Sequence, residues 1–69
     1  MALSSEYLSI ANAGGGMIID AKEVMTSTLT QIARASKNKI IIKNADSLLL
    51  SNLLSIANAG KGNVIFDFT

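Results

Sequence analysis

The heptapeptide Leu-Ser-Ile-Ala-Asn-Ala-Gly occurs twice in this chain, at residues 8–14 and again at residues 54–60. A degenerate third copy, Thr-Gln-Ile-Ala-Arg-Ala-Ser, occupies residues 30–36 between them. The isoleucine shared by the three copies recurs after 22 residues and then after 24. A period in this range is typical of solenoid-like arrays, in which each unit buries its apolar face against its neighbours. The chain is therefore predicted to contain three copies of one structural unit.

The composition places this chain near the lower size limit of a self-sufficient domain. Its 69 residues allow one domain with a small hydrophobic core. The absence of cysteine and histidine excludes disulfides and thiolate or imidazole metal sites, and we expect no cofactor. Small domains without such supports are often stabilised by association with another chain. We therefore expect a homodimer or a higher homo-oligomer.

The charge and hydropathy of the chain argue against several classes of partner. The net charge is +1 and charged residues make up 16% of the chain, too little for binding driven by attraction to nucleic acid or to a membrane surface. No apolar run approaches the roughly 20 residues of a membrane-spanning helix. The N-terminus lacks the basic and apolar segments of a signal peptide, so a cytoplasmic protein is expected.

Each unit is predicted to begin with a short amphipathic helix. Apolar residues recur at helical spacing around the shared Ile10, Ile32 and Ile56, with polar residues on the opposite face. A serine stands five residues before each isoleucine, where its hydroxyl would cap the helix N-terminus. These serines are Ser5, Ser27 and Ser51. Gly14 and Gly60 end the heptapeptide, and both are expected to adopt the left-handed conformation that closes a helix.

A short run of mainly β-branched apolar residues follows each predicted helix. These runs, at residues 17–19, 40–42 and 64–66, are predicted to be strands. Strands that are joined by helices should run parallel with right-handed crossovers. The predicted fold class is therefore α/β, with three helix–strand repeats forming a short parallel three-stranded sheet and helices on one face. The repeats form a single domain, residues 1–69, with units of about residues 3–23, 24–47 and 48–69.

Counting from the shared isoleucines predicts which side chains share a face of the sheet. One face, which we expect to pack on the helices, aligns Ile18 with Ile40 and Val64, and, two residues further on, Asp20 with Ile42 and Phe66. The other face carries a ladder of Ile19, Ile41 and Ile65, which we expect to remain uncovered. The predicted core contains Ile32, Ala33, Ile40, Ile42, Ile56 and Phe66.

The sequence contains little that indicates catalysis. The run at residues 14–16 is rich in glycine, but it leads from a helix to a strand, whereas a phosphate-binding loop leads from a strand to a helix. The three recurring serines have no histidine base to activate them. A small basic cluster does stand out in the middle unit. Its members are Arg34, Lys37, Lys39 and Lys43.

The helix–strand unit, its length and its parallel sheet resemble the leucine-rich-repeat class of α/β solenoids. The resemblance covers almost the whole chain and is architectural. The strand motif of that class, Leu-x-x-Leu-x-Leu-x-x-Asn, is not reproduced, since Asn44 comes one residue too early after the middle strand. What the resemblance implies is a binding or assembly surface rather than an active site.

The favoured hypothesis is a non-enzymatic protein-interaction or assembly module that self-associates. The expected interface is the last strand together with the exposed ladder. Its residues are Val64, Ile65, Phe66, Asp67, Phe68, Ile19 and Ile41. Two copies could pair these strands edge to edge, or pack their ladders face to face. Edge pairing is preferred, because Lys39 and Lys43 disfavour a dry contact between the faces.

Two alternatives belong to other functional classes. The first is a nucleic-acid accessory protein that uses the Arg34, Lys37, Lys39 and Lys43 cluster, although nucleic acids usually also require stacking aromatic residues. The second is a subunit that contributes residues to a ligand site within a larger complex. A different protein as the partner also remains open.

Overall fold

The computed structural model of this protein describes residues 4–69. Leu3, at which the first predicted unit begins, lies outside these residues. Helices and strands alternate three times along the described chain, with one 3-10 turn before the last helix. The elements are α1 (Ser4–Asn12), β1 (Met17–Asp20), α2 (Thr26–Ala35), β2 (Ile40–Lys43), the 3-10 turn (Ala45–Ser47), α3 (Leu50–Gly60) and β3 (Val64–Phe66).

The three strands form one parallel sheet in the order β1-β2-β3. Parallel neighbours follow from the crossover helices, because a helix returns the chain to the end of the sheet at which it started. The helices cover one face of this sheet, and α2 lies between α1 and α3. The predicted α/β class, with a parallel three-stranded sheet and helices on one face, is confirmed.

The core lies between the sheet and the helices. Burial confirms Ile32, Ala33, Ile40, Ile42 and Ile56 as core residues. Phe66 is only half-buried, although it packs against the core. The prediction omitted several further residues that are fully or almost fully buried. These are Ala11, Ile19, Ala21, Leu29 and Ala45.

The predicted register of β1 is wrong by one residue. Ile18 pairs with Ile41 rather than Ile40, and Ile19 pairs with Ile42. Ile19 is therefore buried, with 1% of its surface exposed, and Ile18 is 66% exposed. The predicted register between β2 and β3 is correct, because Ile40 pairs with Val64.

The length of the link after each helix explains this difference. In the second and third units, eight residues separate the shared isoleucine from the first strand residue, whereas in the first unit only seven separate Ile10 from Met17. Since neighbouring side chains of a strand point to opposite faces, a shift of one residue exchanges the two faces of β1. The prediction assumed the same distance from the shared isoleucine to the strand in all three units. It therefore placed the wrong residues of β1 in the core.

The predicted serine caps are also wrong. The residues at the N-cap positions of α2 and α3 are Met25 and Leu49, and neither helix has a side-chain cap. The carbonyl of Met25 accepts the first helical hydrogen bond, from the amide of Leu29 at 3.0 Å. Ser27 and Ser51 are the second residues of their helices, and Ser5 likewise lies within α1. The serines thus mark equivalent helical positions without capping them.

The two identical heptapeptides end their helices in different ways. Gly14 has a positive φ of 95°, as predicted. Its amide donates to the carbonyl of Ala11 and that of Gly15 to the carbonyl of Ile10, which is the Schellman pattern of helix termination. Gly60, in contrast, belongs to α3, and Lys61 after it takes the left-handed conformation with φ 49°. The prediction of a left-handed residue is thus correct for Gly14 and wrong for Gly60.

Candidate interaction surface

One face of the sheet is not covered by the helices of residues 4–69. Ile18, Ile41 and Ile65 lie side by side on this face, since the register pairs Ile18 with Ile41 and Ile41 with Ile65. Ile18 is 66% exposed and Ile65 is 45% exposed. The predicted ladder therefore exists with Ile18 as its first member. Ile19, which was predicted to belong to the interface, is a core residue instead.

A row of alternating charges borders this apolar ladder. Asp20 pairs with Lys43 in the sheet. On the other side of β2, Phe66 pairs with Ile42, so Asp67, the next residue, lies beside Lys43. The Lys43 ammonium consequently lies between two carboxylates and interacts favourably with both. The uncovered face thus combines an apolar row with a charged row of alternating sign.

Hydrogen bonds hold both carboxylates of this row in the ionised form. The pKa of Asp20 is lowered mainly by the side-chain amide of Asn44, whose Nδ2 donates to Oδ1 of Asp20 at 2.9 Å. The backbone amide of Lys22 donates to the same oxygen at 2.9 Å. Hydrogen bonds from the hydroxyl and the backbone amide of Thr69 lower the pKa of Asp67.

The last strand forms an open edge of the sheet. The amide of Ile40 donates to the carbonyl of Asn63, and the amide of Asp67 donates to the carbonyl of Ile42. Peptide groups alternate in direction along a strand, so those of Ile65 also face β2 while those of Val64 and Phe66 face outward. A proline at Ile65 would therefore break the sheet itself rather than only its outer edge.

Two aromatic residues lie at the C-terminal end of this strand, Phe66 within β3 and Phe68 after it. Phe66 packs against the core, and Phe68 is 56% exposed. The centroids of their rings are 6.3 Å apart with the planes tilted by 42°. Of the residues that the sequence predicted at the last-strand interface, Ile65 and Phe68 are exposed, and Val64, Phe66 and Asp67 are half-buried.

An exposed apolar stripe on α3 lies at the same end of the molecule. It consists of Leu50, Leu54 and Ala57, which follow one another at helical spacing. Leu50 is 68% exposed and Leu54 is 55% exposed. The stripe faces away from α2, because Ser55 and Ala59 on the opposite side of α3 line a groove shared with α2.

This stripe was not among the predicted interface residues, although the difference between the units in the sequence indicates it. The equivalent positions of α2 are Thr26, Thr30 and Ala33, which face α3, with Thr26 and Thr30 half-buried and Ala33 buried. In α3 the two threonines are replaced by leucines. These positions are covered by α3 in the middle helix but are exposed in α3 itself. The last helix is thus more apolar than the middle helix at positions that no described element covers.

The groove between α2 and α3 is polar and open. It has a volume of about 600 Å³ and is lined by Thr30, Arg34, Ser55, Asn58, Ala59 and Lys61. This lining contains cations and hydrogen-bonding groups but no carboxylate or other side chain that could act as a base near neutral pH. Within residues 4–69, no group of three acidic, histidine or cysteine side chains is arranged to hold a metal ion.

The predicted basic cluster is distributed over several parts of the fold. Arg34 lies on α2 and lines the groove. Lys39 precedes β2, and its Nζ donates to the carbonyl of Gly62 at 2.8 Å. Lys43 lies at the other end of β2 between two carboxylates. The charge of Lys43 is therefore partly compensated within the protein.

Comparisons with family models, with curated proteins and with solved structures found no match to this chain. Among the helices of residues 4–69, none has the length and apolar character that crossing a membrane requires.

Proposed function

We propose that this protein is a non-enzymatic interaction and assembly module, a short solenoid-like array that self-associates. The observation that carries the proposal is the exposed apolar surface at the α3–β3 end. There Leu50, Leu54, Ile65 and Phe68 are each between 45% and 68% exposed. Ile10, Ile18 and Met25 are also exposed, but they lie on other parts of the fold. Large apolar side chains exposed together at one end favour association, since burying each would contribute roughly 1.5–3 kcal/mol.

A comparison with known arrays supports the proposal. Terminal repeats of such arrays require a polar outer face for solubility. Here α3 is the last helix described, and its outer stripe is Leu50, Leu54 and Ala57. The open edge of β3 is a second feature that favours association. Its outward peptide groups are unprotected, because the strand contains neither proline nor lysine. Such an edge pairs readily with another strand.

The test is the mass of the protein in solution, measured by sedimentation velocity or light scattering at micromolar concentration. We expect the parent chain to associate and Leu54→Lys to shift it toward the monomer, because an ammonium would be placed in the apolar contact. The matched control is Gln31→Lys, which adds the same charge at an exposed position of α2. A parent that stays monomeric, or two variants that behave alike, would contradict the proposal.

A second substitution distinguishes the two modes of contact. Ile65 lies on the uncovered face of the sheet, and its peptide groups face β2 rather than the free edge. Ile65→Lys should therefore abolish association if two sheets pack face to face, and weaken it only mildly if their edges pair. We expect the mild effect, because Lys43 and its two carboxylates would lose water in a contact between faces.

A further inference from the structure

The two ends of the layer of helices differ in polarity. The outer side of α1 carries Glu6, Ser9 and Asn12, which are all exposed. Ile10 is apolar and lies beside them, but at 43% it is less exposed than Leu50 at 68% or Leu54 at 55%. One end of the described fold therefore has the polar character of a terminal cap and the other does not.

This difference determines which surfaces fit together. If copies assembled head to tail, the leucines of α3 would face the polar side of α1 in the next copy, and Glu6 would be desolvated against them. If two copies met at their α3–β3 ends, the apolar stripe on α3 of one copy would pack on the same stripe of the other copy. The second arrangement buries the leucines without burying a charged side chain from α1.

We infer that a second copy of this chain docks on the α3–β3 end about a two-fold axis perpendicular to the sheet. This inference rests on the proposed self-association and adds its partner surface and symmetry. Such an axis places β3 antiparallel to β3 of the other copy, and α3 antiparallel to the other α3 on the same face. The result is a six-stranded sheet covered by six helices.

The backbone of β3 fits this symmetry. With the axis at Ile65, the central residue of the strand, Val64 of one copy lies opposite Phe66 of the other. The peptide groups of both residues face outward, so each of the two symmetry-related pairs can form both hydrogen bonds of an antiparallel ladder. Asp67 then lies opposite Asn63, and no like charges face each other.

Cysteine cross-linking tests the symmetry directly, because the natural chain has no cysteine. Leu54→Cys places one thiol on the outer stripe of α3, and a bismaleimide spanning about 10 Å matches the separation of packed helices. We expect most of this variant to be trapped as a covalent dimer. Ala57→Cys repeats the test with both leucines of the stripe retained, and Ser9→Cys on the outer side of α1 should give little product.

The possible outcomes separate this inference from the proposed function. If the parent associates but neither α3 variant cross-links, or if Ser9→Cys cross-links equally well, the two-fold arrangement is overturned while self-association stands. Head-to-tail assembly would be indicated if a double variant, Ser9→Cys with Leu54→Cys, formed trimers and larger cross-linked species. That result would also overturn the two-fold arrangement. A monomeric parent overturns both. Cross-linked dimers from both α3 variants, with little product from Ser9→Cys, support the inference.

Discussion

Gly60 is required by close packing rather than by an unusual backbone conformation. It is buried and lies at the C-terminal end of α3. A Cβ atom added there would overlap Cγ2 of Val64 and would lie 3.6 Å from the Cβ of Ala33. The missing side chain therefore allows α3, α2 and β3 to approach one another.

We predict that Gly60→Ala destabilises the protein by roughly 1–2 kcal/mol, because overpacking outweighs the gain in helix propensity. Denaturant unfolding measures the effect. Val64→Ala removes the overlapping methyl group, so the double variant should lose less stability than the sum of the two single variants. A stabilising effect of Gly60→Ala alone would contradict the packing argument.

Asn44 is the residue on which the ionisation of Asp20 chiefly depends. Its backbone has φ 56°, a conformation that asparagine and glycine tolerate best. Its side chain donates to the Asp20 carboxylate across the sheet. Asn44→Gly therefore removes the amide donor and preserves the backbone conformation.

We predict that Asn44→Gly raises the pKa of Asp20 toward its ordinary value, as measured by an NMR titration of the carboxyl carbon. The lowered pKa means that Asp20 stabilises the fold above its unfolded pKa and loses this contribution as the pH falls through its folded pKa. In the variant the folded and unfolded pKa values of Asp20 should lie closer together. The contribution of Asp20 to the free energy of unfolding should therefore be smaller. The pKa of Asp67 is the internal control and should not change, since Thr69 provides its hydrogen bonds.

Strand β1 illustrates how an element acquires its orientation. Its four residues, Met-Ile-Ile-Asp, contain two adjacent isoleucines, and local preference does not decide which of them faces the core. The shorter link between α1 and β1 decides it, because pairing with β2 is possible only in the register that the link allows. Ile19 is buried as a consequence, and Ile18 lies on the uncovered face.

We predict that Ile19→Ala costs about 2–5 kcal/mol of stability, as expected for a buried isoleucine. Ile18→Ala is the matched control and should change the stability of the monomer by no more than about 0.5 kcal/mol. Thermal or denaturant unfolding of the two variants compares neighbouring residues of identical chemistry. Equal losses of stability, or a larger loss for Ile18→Ala, would favour the register predicted from the sequence, in which Ile18 pairs with Ile40.

The whole molecule is small enough for an interface to determine much of its behaviour. Its accessible surface is 4131 Å², so an interface of the usual size, about 800 Å² on each partner, would cover roughly a fifth of it. The stability of a protein that associates in this way depends on its concentration, since association stabilises the folded chain only.

We predict that the melting temperature of the parent rises by roughly 3–6 °C for each tenfold increase in concentration across the range in which it associates. Leu54→Lys should remove this dependence, and Gln31→Lys should retain it. Differential scanning calorimetry at several concentrations measures both. A melting temperature independent of concentration in the parent would argue against association coupled to folding.

Some features of this protein follow from the sequence alone. The repeated heptapeptide, followed each time by a β-branched run, predicted three helices alternating with three strands, because helical and strand periodicities are local properties. The parallel direction followed from the helical crossovers, and the register of β2 with β3 followed from equal link lengths. Ile65 was also correctly predicted to be exposed on the uncovered face of the sheet.

Other features were decided only by the tertiary structure. The face to which Ile18 points, the conformation of Gly60 and the exposure of the α3 stripe each depend on what lies beside the residue in space. The identical heptapeptides show the reason, since Gly14 ends its helix with a positive φ and Gly60 remains in a helix against Val64. Local sequence determines which elements can form, whereas the lengths of the links and the neighbours across the core determine how they are oriented and which surfaces remain open.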